Sequence, residues 1–251
     1  MGDDKEIKDR GKQIVNLYNK LTSMSEYKLL LRIRSLDSSL YVFEKNYQDL
    51  RTLLTLHSDV KEAIRLRKAG KKPEMRGFLY EITRLLQNFV ASVKSLIDHT
   101  RIIYREIYKG GEEFPNYQAE VDRRFTKNPL AQFVEDLRDY CLHYESPPLY
   151  SLLHYSQTPP VFESGVKLNT GVLKKYSNWS PAAKQYIADQ GDSIDLLKVV
   201  DEYHASVTDF YRWVKSRQKE IHSQAFSNVA AIQKELENLI TEEDLNTQKQ
   251  Q

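Results

Sequence analysis

Apolar residues recur at alternating steps of four and three over Leu29, Ile33, Leu36, Leu40, Phe43, Tyr47, Leu50 and Leu54. This spacing puts them on one face of a long α-helix that packs in the manner of a coiled coil. A shorter helix carrying Ile7, Ile14, Val15 and Tyr18 precedes it, and Gly70-Lys71-Lys72-Pro73 ends the run. A second long helix is predicted from about Met75 to Tyr108. Phe78, Ile82, Leu85, Phe89, Val93, Leu96 and Ile103 form its core face, and Gly110-Gly111 stops it.

Residues 116–127 have room for one short helix. Asn128-Pro129 then reads as an N-cap with proline at the first helical position. The helix it opens runs to about Tyr144, and Pro147-Pro148 closes it. Residues 147–180 break the helical pattern. Tyrosine and valine are enriched there, among Pro159-Pro160, Gly165, Asn169 and Gly171, so the segment is a loop or a small β-hairpin. A helix resumes after Trp179-Ser180-Pro181. From Ser193 onward Val200, Tyr203, Val207, Phe210, Val214, Ile221, Ala225, Val229, Ile232, Leu236 and Leu239 read as one long helical run. The predicted class is all-α: an elongated bundle of long antiparallel helices with one insertion at 147–180. No repeat and no linker between two cores is visible, so residues 1–240 are expected to form a single domain, with a polar, frayed tail at 241–251.

Composition narrows the function. Hydrophobic residues make up 40% and charged residues 29% of the chain, which excludes a disordered polypeptide. A net charge of +2 does not by itself imply nucleic acid. The single cysteine, Cys141, rules out an internal disulfide and suits a reducing compartment. No apolar run approaches the roughly 20 residues of a membrane span, and the first residues lack the apolar core of a secretory signal. A cytoplasmic protein without a membrane partner is expected. The six histidines show no paired metal-ligand spacing, and no Gly-rich phosphate loop or nucleophile elbow is present, so neither a metal nor a cofactor is expected.

The segment from Phe133 to Tyr144 carries the candidate chemistry. Leu130, Phe133, Val134, Leu137, Tyr140, Cys141 and Tyr144 fall on one side of a helix. Glu135, Arg138, Asp139, Leu142 and His143 fall on the other. Asp139 and His143 are four apart, within pairing reach, and the helix dipole favours an imidazolium at His143 in the last turn. Leu142 is an apolar residue on a charged face, which implies that something covers it. An ordinary solvated helix face ending in a capping histidine would give the same pattern.

Arg138, Asp139, three further residues and His143, followed by Pro147-Pro148, resemble the motif of the HEPN superfamily (higher eukaryotes and prokaryotes nucleotide-binding domains), with Asp139 where asparagine is commoner. The upstream stretch from Asn88 to Arg101 also resembles small stand-alone bacterial HEPN proteins, and the likeness covers roughly residues 78–150. Two other Arg-His spacings exist, Arg51 with His57 and Arg217 with His222. His57 falls in the core register of its helix and Arg217 lies mid-helix, so neither has the helix-end, proline-flanked context of His143.

The resemblance implies a metal-independent endoribonuclease in which two copies of the motif meet across a homodimer, with Leu142 at the interface and RNA as substrate. It implies His143 as general acid or base, Arg138 as the charge that stabilises the phosphorane, Asp139 as the group that orients His143, and Glu135 as a support for the guanidinium. Asn88, Ser92, Ser95 and His99 form a polar stripe that either lets two helices pack closely or supplies accessory donors to a phosphate. Arg65, Arg67, Lys68, Lys71 and Lys72 belong to a basic run suited to RNA phosphates, or to a solvated helix end. A role in bacterial defence, with a regulatory protein partner, would suit such a nuclease. The other reading open to these residues is a non-catalytic helical scaffold or partner-binding subunit, in which Arg138, Asp139 and His143 form only a cap network.

Overall fold

The computed structural model describes residues 2–68, 72–108, 113–157 and 160–248. Among them the chain is mostly helical, with one three-stranded antiparallel sheet. In order come α1 (Gly2–Ser23), α2 (Ser25–Ser58), α3 (Val60–Arg67), α4 (Lys72–Tyr108), α5 (Tyr117–Val121) and α6 (Pro129–His143). Then follow β1 (Leu149–Gln157), β2 (Pro160–Asn169), α7 (Thr170–Leu173), α8 (Pro181–Asp189), β3 (Ser193–Asp195), α9 (Leu196–Ile221) and α10 (Ser223–Gln248). The predicted stops at Gly70 and Gly110-Gly111 lie outside the described residues, as does Lys71. Pro73 does not close a helix. It sits in the first turn of α4, where a missing N–H costs nothing.

Two compact units arise. The first comprises residues 1–36, 103–114 and 214–251, and the second residues 37–102 and 115–213. In the first, Leu21, Leu30, Ile33, Val229, Ile232 and Leu236 form the core, and α1 packs on α10. Ile7, Val15 and Tyr18, which mark α1 in the sequence, are exposed, and its buried anchor is Leu21.

The second unit holds the candidate site. Phe43, Leu50 and Leu54 of α2 are fully buried, as are Ile82, Phe89 and Leu96 of α4 and Phe133, Leu137 and Tyr140 of α6, in agreement with the predicted stripes; Leu86, outside the predicted stripe, is fully buried too. Four polar side chains, two from α2 and two from α9, pack beside them. Tyr47 stacks on His204 with ring centroids 3.5 Å apart and donates its hydroxyl to Asp201 at 3.0 Å, while Glu44 lies 2.9 Å from His204 Nε2.

The 147–180 segment is more ordered than its turn formers suggested. β1 and β2 pair along their whole length, from Leu149 opposite Leu168 to Gln157 opposite Pro160. β3 was not visible in the sequence, because three residues are too few for a period-2 pattern. Its reason is polar. Lys167 on β2 is buried and reaches Asp195 at 2.7 Å and Glu163 at 2.9 Å, and Asp195 also accepts from Lys198 N–H at the start of α9.

The single run expected after Ser193 is a strand and two helices. The apolar spacing continues across the junction at His222, where the backbone N–H still donates to Gln218 O, so periodicity cannot reveal the interruption. The His222 ring stacks on Tyr108, with Nε2 3.0 Å from its hydroxyl. Arg217 accordingly lies near the end of a helix instead of at its middle.

His57 is buried, as its register implied. Its Nε2 lies 2.8 Å from Ser151 Oγ, its ring stacks on Phe78, and its Nδ1 is buried without a partner among the described residues. Burial, and then the charge of Arg67, hold its pKa below the usual 6.5. The unfolded chain therefore takes up a proton there before the folded one does. Stability contributed by His57 is present above about pH 6.5 and is lost as pH falls through that value toward the depressed one. His222, also shifted down by burial, adds the same sign. The urea midpoint is expected to fall between pH 7.5 and pH 5, and His57→Gln is expected to flatten that fall. An unchanged slope in the variant would assign the acid sensitivity elsewhere.

Candidate functional site

α6 is built from its first residue. Asn128 Oδ1 accepts from Leu130 N–H at 3.0 Å and Ala131 N–H at 3.3 Å, closing the open donors of the first turn, and Pro129 supplies a residue that needs no such partner. Ala131, Phe133, Val134, Leu137, Tyr140 and Cys141 are its buried face. Asp136 accepts from Ser180 N–H at 2.6 Å, which fixes α6 against the start of α8. At the C-terminal end Tyr140, Tyr176 and Trp179 pack as a ring cluster, with Trp179 Nε1 donating to Leu173 O. Tyr144, expected in the core stripe, is 54% exposed because it follows the last helical residue, though its ring still rests on Tyr140 and Tyr176. Burial pushes the Cys141 thiol up to about 12, which removes it as a nucleophile near neutral pH.

The opposite face presents the motif. Glu135, Leu142 and His143 are exposed, and Arg138 and Asp139 are half-buried. Arg138 Nη1 donates to Asp139 Oδ1 at 2.7 Å. Asp139 thus serves the guanidinium, and among the described residues nothing hydrogen-bonds to the His143 ring. Glu135 does not reach Arg138 by a hydrogen bond. Its partner is Gln132, at a long 3.5 Å. Glu135 and Arg138 nevertheless border a shared crevice with Lys94 and Tyr203.

The polar stripe of α4 takes another direction. The residues of α4 that face the Arg138 side of α6 are Val90, Val93, Lys94 and Ile97. At 100° per residue the mean direction of Ser92, Ser95 and His99 lies about 180° around the helix axis from that of these four. His99 Nδ1 is 2.6 Å from Ser39 Oγ on α2, the Ser92 and Ser95 hydroxyls donate to carbonyls of their own helix, and Asn88 is exposed. His99 thus serves a helix contact, and among the described residues no member of the stripe hydrogen-bonds to His143.

In the basic run, Arg65 is held by Glu62 at 2.7 Å and Glu74 at 3.6 Å. Arg67 donates to the backbone carbonyl of Ser151 and, at 2.8 Å, to its Oγ, bracing β1. Lys68 and Lys72 are exposed.

No family model, curated protein or solved structure matches the chain. The site must therefore be read from its own chemistry. Among the described residues no group of His, Cys, Asp or Glu is placed to hold a metal ion, and no helix is long and apolar enough to cross a membrane. What α6 does offer is an arginine with donors left over after its bond to Asp139, and an exposed imidazole five residues further on in the polar half of the helix. Sequence reasoning missed Tyr203. It reads as a core step of α9, and apolar spacing does not show that it lines the crevice beside Arg138.

Proposed function

We propose that the protein is a metal-independent endoribonuclease of HEPN type that acts as a homodimer in the cytoplasm. The observation that supports this reading best is the exposure of His143 at the end of α6, about one and a half turns beyond Arg138. A catalytic imidazole must reach substrate, and a structural cap would be tied to a backbone carbonyl. In the proposed reaction the RNA 2′-hydroxyl attacks the adjacent phosphorus as His143 moves a proton, and Arg138 stabilises the charge gathering on the phosphorane oxygens. The P–O5′ bond breaks, and the departing 5′-oxygen takes up the proton surrendered by the 2′-hydroxyl to leave as a hydroxyl. Leu142 and Tyr144, 46% and 54% exposed beside His143, give a second copy an apolar surface to cover.

The products then carry a 2′,3′-cyclic phosphate and a 5′-hydroxyl. An all-ribose oligonucleotide is expected to be cut and the all-deoxy version of the same sequence to remain intact, scored by gel and by mass of the fragment ends. Cutting of the deoxy strand would contradict attack by the 2′-hydroxyl.

A second reading, a non-catalytic helical scaffold, is favoured by one detail. Asp139 is spent on Arg138, so His143 lacks the carboxylate that would orient it. That reading expects no cleavage of any RNA and full tolerance of substitution at His143.

A further inference from the structure

Beside the crevice at Arg138 lies a cavity of about 60 Å³ within the second unit. At roughly 10–15 Å³ for each water-sized atom, it has room for about four to six heavy atoms. Its walls are aromatic: Tyr117, Phe125, Tyr203, Phe210 and Tyr211. Phe125 stands nearly perpendicular to Phe210 (86°) and steeply to Tyr203 (71°), so the rings form sides of a box and leave no slot for stacking a large base. Glu135 lines the same space and is exposed to solvent.

Three irregularities meet here. Asn116 adopts φ 67°, an unusual backbone for a non-glycine residue, immediately before Tyr117. The chain from Asp122 to Thr126 is π-helical, which turns Phe125 and Thr126 to the cavity, and π-turns are concentrated at functional sites. Tyr203, only 2% exposed, lines the cavity, and among the described residues its hydroxyl has no hydrogen-bond partner. That hydroxyl is free to donate to or accept from a guest. Burial, and then the negative charge of Glu135, raise the Tyr203 pKa, so the hydroxyl stays protonated and neutral.

We propose that this cavity binds a small planar organic cation of guanidinium type, with its N–H edge on Glu135 and Tyr203 and its face against the aromatic walls. The size, the single accessible carboxylate and the rings each select that chemistry. A guanidinium is a flat cation of four heavy atoms, its paired N–H groups match a carboxylate, and its face stacks on aromatic rings. Arg101 also lines the cavity, and its half-exposed side chain lies 3.8 Å from Asp98, whose carboxylate offsets the guanidinium charge. The guest is either a free small molecule or the head of an arginine side chain in another polypeptide.

Saturation-transfer NMR on the full chain tests this with methylguanidinium at low millimolar concentration and methylurea, its neutral counterpart of the same shape. Methylguanidinium is expected to bind and methylurea not. Glu135→Gln, at an exposed position that leaves the fold intact, is expected to weaken binding at least tenfold, and Tyr203→Phe to weaken it several-fold. An acetylated and amidated Gly-Arg-Gly peptide that displaces methylguanidinium would identify a polypeptide side chain as the source, and a peptide that fails to displace it would identify a free cation. Equal binding of methylurea, unchanged binding to Glu135→Gln, or no saturation of methylguanidinium would each overturn the proposal. Because the readout is binding, it is independent of whether the chain cleaves RNA.

Discussion

Tyr140→Ala is expected to destabilise the protein by about 3–5 kcal/mol, the cost of removing a large side chain from a close-packed core. Tyr140 is fully buried, its ring lying 5.6 Å from Trp179 in a stacked pair and 5.3 Å from Tyr176 edge-on. These neighbours are fixed in turn, Trp179 through its bond to Leu173 O. They cannot collapse into the space an alanine leaves, so cavity and transfer terms add. Tyr140→Phe keeps the ring and loses only a long 3.5 Å bond to Glu145, so it is expected to lie near wild type. Urea unfolding with a common slope measures both. An alanine variant within about 1 kcal/mol of wild type would mean that this cluster does not hold the end of α6.

The second large effect is on chemistry. Arg138→Ala is expected to lower the rate of RNA cleavage by about 10²–10³, as loss of one donor to a developing oxyanion does elsewhere. Arg138→Lys is expected to recover little of it, because a lysine places one compact charge where a planar fork held Asp139 and still had donors for phosphate. The loss should fall on the maximal rate more than on the substrate concentration needed, since the charge on phosphorus grows only in the transition state. A variant with normal maximal rate and weakened binding would recast Arg138 as a phosphate anchor.

Much of the helical architecture is legible in the sequence, for a physical reason. Core faces such as Phe43–Leu50–Leu54 and Ile82–Phe89–Leu96 repeat over many turns, and a long repeat averages out the exceptions. The N-cap of α6 is equally legible, because Asn128-Pro129 satisfies a local need that no distant contact overrides. What fails is short or non-local. β3 depends on a buried Lys167 pairing with a residue 28 positions on, and the junction at His222 leaves the apolar spacing intact. In the site, the faces of α6 are legible but the partners are not. Helical spacing makes Asp139 equally available to His143 and to Arg138, and only the side-chain geometry shows it on the arginine. The stripe from Asn88 to His99 shows its spacing in the sequence and hides its neighbour, Ser39.

The central claim rests on His143, and the most direct measurement is cleavage of a mixed single-stranded RNA in EDTA by the purified protein and by His143→Ala. Cleavage by the first and its loss, by about 10²-fold or more, in the second is the predicted result for an acid–base imidazole. Equal cleavage by both, or none by either, would contradict it.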